Sequence, residues 1–289
     1  MKTASRSAEL ALLGVTVVWG ATFTLVKGAL EDVSTLLFLT LRFTAGAAMM
    51  AALLRPSWSG SGPALAAGTR GGLIAGLCLA AAYFLQTAGL RLTTPTHSAF
   101  LTALCVVLVP FFGALVYRVV PRWMEGLGVG LALVGTALLT SPFEGSGFST
   151  GDLLSGLCAV AFAFHILAMG AFAPRADFAR LSVMQLAIVA VLGILTCWWA
   201  EPMYVRWTPR LFFALAVTSV LCTAAGYTVQ AWAQQRTSAT RAALIFSLEP
   251  VSAATTSYAI DGEPLAGPAL WGAALILAGV LVVELKPNR

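Results

Sequence analysis

The stretch Arg241-Ala-Ala-Leu-Ile-Phe-Ser-Leu-Glu249-Pro250, continued by Val251 to Ile260, decides how this chain folds. It predicts one apolar helix with a carboxylate near its middle, because Glu249 lies roughly 12 Å along such a helix from Arg241. An ionised group at that depth in a lipid-facing helix costs at least about 2.5–3.5 kcal/mol. Pro250 also leaves a backbone carbonyl without its helical partner. Membranes tolerate such groups where protein or a water-filled cavity surrounds them. The stretch therefore predicts a polar cavity around Glu249. The alternative is a buried carboxylate that only ties helices together.

The composition indicates an integral membrane protein. Of the 289 residues, 59% are hydrophobic and 10% are charged, whereas soluble proteins carry about 25% charged residues. The net charge of +5 does not indicate a nucleic-acid partner, because the basic residues stand in short loops. The five cysteines stand singly in apolar stretches and the two histidines form no cluster. We therefore expect no metal ion and no cofactor.

Ten apolar stretches follow one another along the chain, and each has about the 20 residues that cross a bilayer. The expected fold class is all-α integral membrane, with ten transmembrane helices arranged as two inverted five-helix repeats. The first stretch resembles a signal peptide, but it runs on to Val26 without a clear cleavage site, so we count it as a span. The stretches cover residues 9–27, 34–54, 70–90, 95–117, 122–140, 152–172, 180–200, 209–233, 239–259 and 265–284.

Lysine and arginine residues predict the orientation of the chain. With a cytoplasmic N-terminus, twelve of them fall in cytoplasmic segments and only four, at positions 27, 91, 206 and 210, fall outside. Positive charge favours the cytoplasmic side of a membrane. The sequence thus predicts a multi-pass protein of the plasma or inner membrane with both termini in the cytoplasm.

An internal repeat relates the two halves of the chain at an offset of 144 residues. We expect one repeat over residues 1–141 and a second over residues 150–286, each with five spans. An odd number of spans inverts the second copy, and inverted repeats place a substrate site near the midplane between the halves. The repeated glycines also predict close helix packing. The recurring pairs are Tyr83/Tyr227, Gln86/Gln230, Gly128/Gly272 and Gly135/Gly279, whereas Pro110 and Pro250 are 140 residues apart.

Several stretches give the chain a resemblance to the EamA-type drug/metabolite transporters. They are Leu41-Arg42-Phe43, Ser98 to Pro110, Ala242 to Pro250, and Gly262-Glu263-Pro264. The resemblance implies a central cavity lined by the first, third and fourth helices of each half. The chain departs from a symmetric pattern at Val109, which precedes Pro110 where the second half has Glu249. It departs again at Pro121-Arg122, where the second half has Glu263-Pro264.

Transferred to this chain, the lining helices provide the candidate substrate-binding residues. Polar groups among aromatic walls are typical of small-molecule sites, although Tyr and Gln can also simply join neighbouring helices. His165 is expected to be packed or to face the cavity as a neutral ring. Pro110 and Pro250 are the candidate helix-breaking residues. The cavity candidates are Trp19, Phe23, Tyr83, Gln86, Thr102, His165, Tyr227, Gln230 and Glu249.

Arg42 lies about eight residues into the second span. It could pair with Glu249, extend its charge toward an interface, or bind backbone carbonyls. Because the second span is not among the expected lining helices, we expect Arg42 to have a structural role.

The sequence favours a secondary transporter that exports a small metabolite by alternating access. The expected substrate is an amino acid-like compound or an amphipathic, cationic, drug-like one, carried by a monomer or homodimer in the lipid bilayer. Proton coupling through Glu249 and transport driven by the substrate gradient alone remain two open alternatives. The competing functions are a structural or receptor-like subunit and, last, a membrane-embedded enzyme. No enzyme is expected, because only Glu249 and His165 among the lining residues could serve catalysis.

Overall fold

A computed structural model describes residues 2–56, 58, 61–118, 122–140, 149–261 and 267–284. Within these ranges the regular structure is helical, apart from one isolated β-bridge between Val33 and Val205. A π-helix, Thr218–Ala225, separates α9 from α10. The α-helices are α1 (Lys2–Ala29), α2 (Thr35–Leu54), α3 (Pro63–Leu92), α4 (Pro95–Ala103), α5 (Cys105–Tyr117), α6 (Trp123–Thr140), α7 (Thr150–Phe172), α8 (Phe178–Thr196), α9 (Pro209–Val217), α10 (Gly226–Gln234), α11 (Ala239–Phe246), α12 (Glu249–Asp261) and α13 (Gly267–Glu284).

Seven helical stretches in the described residues are long and apolar enough to cross a membrane. Two more, Trp123–Leu139 and Gly267–Val283, are apolar but shorter. The all-helical class is therefore confirmed, while the count of ten spans and the inversion of the second repeat stay predictions. Pro121 and the Gly262-Glu263-Pro264 stretch lie outside the described residues.

The stretch around Glu249 is not the continuous helix that its sequence predicts. Helix α11 ends at Phe246 and α12 begins at Glu249. Between them, the Ser247 amide donates to the carbonyls of Ala243 and Leu244 at 3.1 and 3.2 Å, which tightens the last turn of α11. Pro250 is the second residue of α12, where its missing N–H would have no helical partner anyway. The chain thus breaks just before Glu249, and the proline helps to start the next helix.

The first half contains an equivalent break at Leu104, between α4 and α5. Pro110 lies inside α5, so the break does not occur at this proline. Leu104 and Leu248 are 144 residues apart, the same offset as the tyrosine and glutamine pairs. Cys105 and Glu249 therefore occupy equivalent positions, each as the first residue of the second helical segment. The comparison of the two halves in sequence matched Glu249 to Val109 instead of Cys105, because it aligned Pro110 with Pro250.

The repeated glycines bring α6 and α13 together in an antiparallel pair. A Cβ atom added to Gly135 would lie 2.6 Å from the carbonyl oxygen of Gly272, and one on Gly128 would lie 2.8 Å from that of Gly279. Small residues allow this close backbone approach, which drives helix association where lipid replaces water. The prediction of close packing at these four glycines is confirmed.

Gly135→Leu is expected to destabilise the protein, because the side chain has to displace the backbone of α13. Overpacking of this kind typically costs about 1–3 kcal/mol. Gly130→Leu is the matched control, since nothing lies within 4 Å of a Cβ at that position. Thermal unfolding in detergent measures both variants. Equal unfolding temperatures would contradict the α6–α13 contact.

A polar connection joins the turn after α1 to the loop before α9. The Arg206 amide donates to the carbonyl of Asp32 at 2.7 Å. The Asp32 carboxylate accepts from the Thr208 hydroxyl at 2.7 Å and pairs with Arg206 and Arg210 at 3.0 and 3.1 Å. The Thr208 hydrogen bond, followed by the two arginines, lowers the pKa of Asp32, although burial acts in the opposite direction. This carboxylate therefore stabilises the folded protein through the connection.

Asp32→Asn is expected to lower the unfolding temperature at neutral pH. The unfolding temperature of the variant should also change less with pH in the acidic range. Because the folded pKa is depressed, the stabilisation is present above the unfolded pKa of about 3.9 and is lost as the pH falls through the folded value. Unfolding temperatures from neutral to strongly acidic pH measure this. Glu31→Gln is the comparison variant, since Glu31 pairs with the same Arg210 but is largely exposed. A constant difference between Asp32→Asn and wild type at every pH would contradict the assignment.

Candidate functional site

A cavity of about 760 Å³, a volume that includes space open to solvent, lies among helices of both halves. Its lining comes from α1, α2, α3, the break between α4 and α5, α7, α10, and the break between α11 and α12. All the residues that the sequence nominated for a cavity lie on its wall. They are Trp19, Phe23, Tyr83, Gln86, Thr102, His165, Tyr227, Gln230 and Glu249.

Tyr83 and Tyr227, which the repeat relates, meet inside this cavity. The Tyr227 hydroxyl donates to the Tyr83 hydroxyl at 2.9 Å. The Trp19 ring lies between Tyr227 and Phe246, with ring centroids 5.2 and 5.3 Å away. Such tilted contacts are favourable arrangements for aromatic side chains. The two phenols thus join the halves of the protein and at the same time form part of an aromatic wall.

The two glutamines of the repeat make different hydrogen bonds. Gln86 Nε2 donates to the Thr102 hydroxyl at 3.2 Å, which connects α3 to α4. Gln230 Nε2 donates to Gln234 on its own helix at 2.9 Å. Gln230 Oε1 is buried and has no partner among the described residues. A buried acceptor without a donor is costly, so this oxygen is a candidate contact for a ligand.

His165 is buried in the wall beside Tyr227, with ring centroids 5.7 Å apart. Its Nε2 shares a hydrogen bond with Gln185 Oε1 at 2.9 Å. In the described part of the chain, no group of three or more His, Cys, Asp or Glu side chains could hold a metal ion. The contacts of His165 are those of a packed histidine that also borders the cavity.

Arg42 also lines the cavity, contrary to what the sequence predicts for the second span. Its Nε donates to the Thr223 hydroxyl at 2.8 Å and its Nη2 to the Tyr83 hydroxyl at 3.2 Å. The guanidinium stands over the Tyr83 ring, 4.7 Å from its centroid. The long side chain thus extends from α2 past Tyr83 into the central space. Helix position alone could not indicate this.

Arg42 is buried but pairs with no carboxylate among the described residues, Glu249 included. A cation–π contact supplies about 2 kcal/mol when desolvated, whereas a charge at the bilayer centre costs at least about 2.5–3.5 kcal/mol. The hydrogen bonds to Tyr83 and Thr223 add to this stabilisation, and they leave Nη1 without a partner among the described residues. An anionic ligand would complete its environment.

Glu249 borders the same cavity, and no hydrogen bond or ion pair to a described residue engages its carboxylate. Its backbone is held closely. A Cβ atom on Gly20 of α1 would overlap the Glu249 carbonyl oxygen and lie 2.6 Å from the Ser252 side chain. The Ser252 hydroxyl also donates to the carbonyl of Val17 at 2.7 Å. Close packing of α1 against α12 thus fixes Glu249 at the cavity and leaves its carboxylate free.

The π-helix was not predicted from the sequence. Its wider turn leaves the Cys222 carbonyl to accept a hydrogen bond from Trp19 Nε1 at 2.9 Å. The hydroxyl of Thr223, in the same turn, accepts the hydrogen bond from Arg42 Nε. Wide turns of this kind are frequent at functional sites. The approach of Trp19 to this turn requires a small residue at Gly226, because an added Cβ there would lie 2.9 Å from Trp19 Nε1. This glycine is the one sign of the contact in the sequence.

Gln86→Leu and Gln230→Leu test whether the repeated glutamines contact a substrate. Leucine keeps a similar volume but removes all hydrogen bonding, so we expect transport to fall at least about tenfold, equivalent to 1.4 kcal/mol. The amount of protein in the membrane should not change. Transport is measured in vesicles, and Gln235→Leu, next to the Gln234 partner but partly exposed at the end of α10, is the control. Normal transport by both variants would limit these residues to packing.

Comparison with known proteins agrees with this architecture. The profile of the EamA-like transporter family matches residues 6–141 and again residues 149–285. This chain belongs to the EamA-like transporter family. A protein of Archaeoglobus fulgidus named as an uncharacterized transporter is 31% identical over 285 residues, which cover 96% of this chain and 86% of the relative. Family and relative both indicate a multi-pass membrane transporter.

A solved crystal structure has the same fold. It superposes with a TM-score of 0.77 at 22% sequence identity, and the match covers 97% of each chain. At this identity the likeness concerns the fold alone. Membership in the family nevertheless agrees with the EamA resemblance that the sequence motifs indicated, and it points to transport rather than catalysis.

Proposed function

We propose that this EamA-like protein is a secondary transporter that exports a small amino acid-like or amphipathic metabolite by alternating access. One observation carries the proposal: a single cavity is lined from both family repeats and holds aromatic, amide and charged side chains. Small-molecule sites combine apolar walls with a few placed polar groups in this way. Ten spans with the second repeat inverted would place this cavity near the midplane.

Two polar side-chain contacts at equivalent positions support the alternating-access part of the proposal. Arg241 at the start of α11 pairs with Glu9 of α1 at 3.2 Å. His97 near the start of α4 pairs with Asp152 of α7 at 3.5 Å. The partners correspond at offsets of 144 and 143 residues. In an inverted repeat these contacts lie at opposite membrane faces, where each can close one entrance while the other opens.

The proposal gives transport the direction of export, with both termini in the cytoplasm as the bias of lysine and arginine residues predicts. A metabolite made in the cell would enter the cavity from the cytoplasmic face and leave on the other side. Glu249 offers a route for coupling, because substrate and proton can compete for one free carboxylate. A purely structural subunit would have no evident use for a cavity in which Arg42 and Glu249 form no ion pair with any described residue.

Efflux from reconstituted vesicles tests the proposal without a prior choice of substrate. Vesicles that contain the purified protein are loaded with a mixture of small polar and amphipathic metabolites, and mass spectrometry follows each solute outside. We expect at least one solute to leave faster than from protein-free vesicles and to accelerate when the same solute is supplied outside. Equal rates for every solute, with and without protein, would contradict a transport function.

A further inference from the structure

The first half of the protein contributes unpaired hydrogen-bond donors to the cavity. Arg42 Nη1 has no partner among the described residues. The Tyr83 oxygen accepts from both Arg42 and Tyr227, so both of its lone pairs are used and its own hydrogen remains to donate. A guanidinium and a phenol that donate into one space form a site for an anionic group, above all a carboxylate.

The second half contributes unpaired acceptors to the same cavity. The Glu249 carboxylate has two oxygens without a described donor, and Gln230 Oε1 is buried without one. Neither residue pairs with Arg42, whose hydrogen bonds among the described residues go to Thr223 and Tyr83, and no ion pair joins Arg42 and Glu249 within 4.0 Å. A ligand amine donates up to three hydrogen bonds and carries the opposite charge to Glu249. It therefore matches this side of the cavity.

A series of aromatic contacts on the cavity wall leads from Arg42 to Phe246. Tyr83 touches Arg42, Tyr227 touches Tyr83, and Trp19 contacts Tyr227 and Phe246. Phe246 stands three residues before Glu249, across the break. A molecule that reaches from Arg42 to Glu249 lies along these rings, which accept its apolar part.

We propose that the cavity recognises a zwitterion: Arg42 and Tyr83 bind its carboxylate, and Glu249 binds its amine. This inference rests on the proposed transport function and adds the charge pattern of the substrate. It also assigns Arg42 a binding role. Arg42 and Glu249 form no ion pair with each other, so each can bind the opposite end of one ligand.

A ligand series tests the charge pattern in the wild-type protein. The standard protein amino acids are screened by thermal stabilisation of the purified protein, because a ligand that binds the folded form raises its unfolding temperature. The amino acid with the largest effect is then compared with its methyl ester, which lacks the carboxylate, and with the matching carboxylic acid that lacks the amine. We expect the free amino acid to bind about ten- to a hundredfold more tightly than either analogue.

Two variants assign the charges to residues. Arg42→Gln should reduce the affinity for the amino acid to that of the ester and leave the affinity for the ester unchanged. Glu249→Gln should remove the preference for the amino acid over the acid that lacks the amine. Arg175→Gln and Glu31→Gln, which change charges away from the cavity, are the controls. A variant that weakens every ligand equally would show a structural role for that residue and contradict its assignment.

The ligand series and the efflux assay separate this inference from the transport function. An ester or amine-free acid that binds as tightly as the amino acid overturns zwitterion recognition. So does the absence of any binding amino acid while the vesicles release another solute. Both results leave a transporter with a different substrate class. If no solute crosses the vesicle membrane in the efflux assay, the transport function fails as well.

Discussion

Ala103→Trp is expected to lower solute efflux at least about tenfold, equivalent to 1.4 kcal/mol, while the protein stays folded. Ala103 ends α4, directly before the break at Leu104, and it lines the cavity. An indole at this position extends into the space beside Thr102 and Cys105, through which a substrate has to pass. The open cavity accepts much of the added volume, so the cost in stability stays below that of overpacking a closed core.

Leu115→Trp provides the matched control for this experiment. Leu115 lies on α5 and is 68% exposed on the outer surface of the helices, so the same indole faces lipid there. Efflux and unfolding temperature are measured for both variants. Efflux by Ala103→Trp at the rate of Leu115→Trp would show that the substrate does not pass through this cavity.

Glu249→Gln is expected to abolish accumulation driven by a proton gradient. Glutamine has nearly the shape of a protonated glutamate but cannot exchange a proton, so substrate binding no longer displaces one. Downhill exchange should continue, although at higher substrate concentration, because the amide has lost the charge that attracts an amine. The pH dependence of substrate binding should become flat.

Vesicles with an imposed proton gradient measure this effect, and Glu31→Gln serves as the control at an exposed carboxylate. If Glu249→Gln still accumulates substrate with unchanged pH dependence, the carboxylate has no part in coupling. Transport then depends on the substrate gradient alone, which is the alternative that the sequence left open.

The lining of the cavity could be predicted because the EamA resemblance implied which helices line it and the repeat marked paired polar residues on two of them. Tyr83-x-x-Gln86 and its copy 144 residues later place a phenol and an amide on one helix face in each half. A carboxylate beside a proline in an apolar stretch then required a polar space. The helix spacing and the proline are local signals, whereas the choice of lining helices came from the resemblance.

Arg42 and the helix breaks could not be placed in this way. The Arg42 side chain is long enough to reach past Tyr83, so the position of α2 does not determine where its charge lies. The helices break just before Cys105 and just before Glu249. Pro250 directly follows its break, whereas Pro110 lies farther along α5, so the prolines do not mark the breaks. The π-helix at Thr218–Ala225 depends on Trp19 and Arg42 from other helices, and its own sequence gives little sign of it.

Access to the cavity from each side of the membrane tests the central claim most directly. Thr22→Cys, in a variant whose native cysteines are replaced, puts a thiol on the cavity wall. The protein is reconstituted in one orientation, and a membrane-impermeant thiol reagent is supplied either outside or inside the vesicles. Alternating access predicts that Cys at this position reacts from both sides and that a transported solute slows both reactions. Reaction from one side only, with and without solute, would contradict the account.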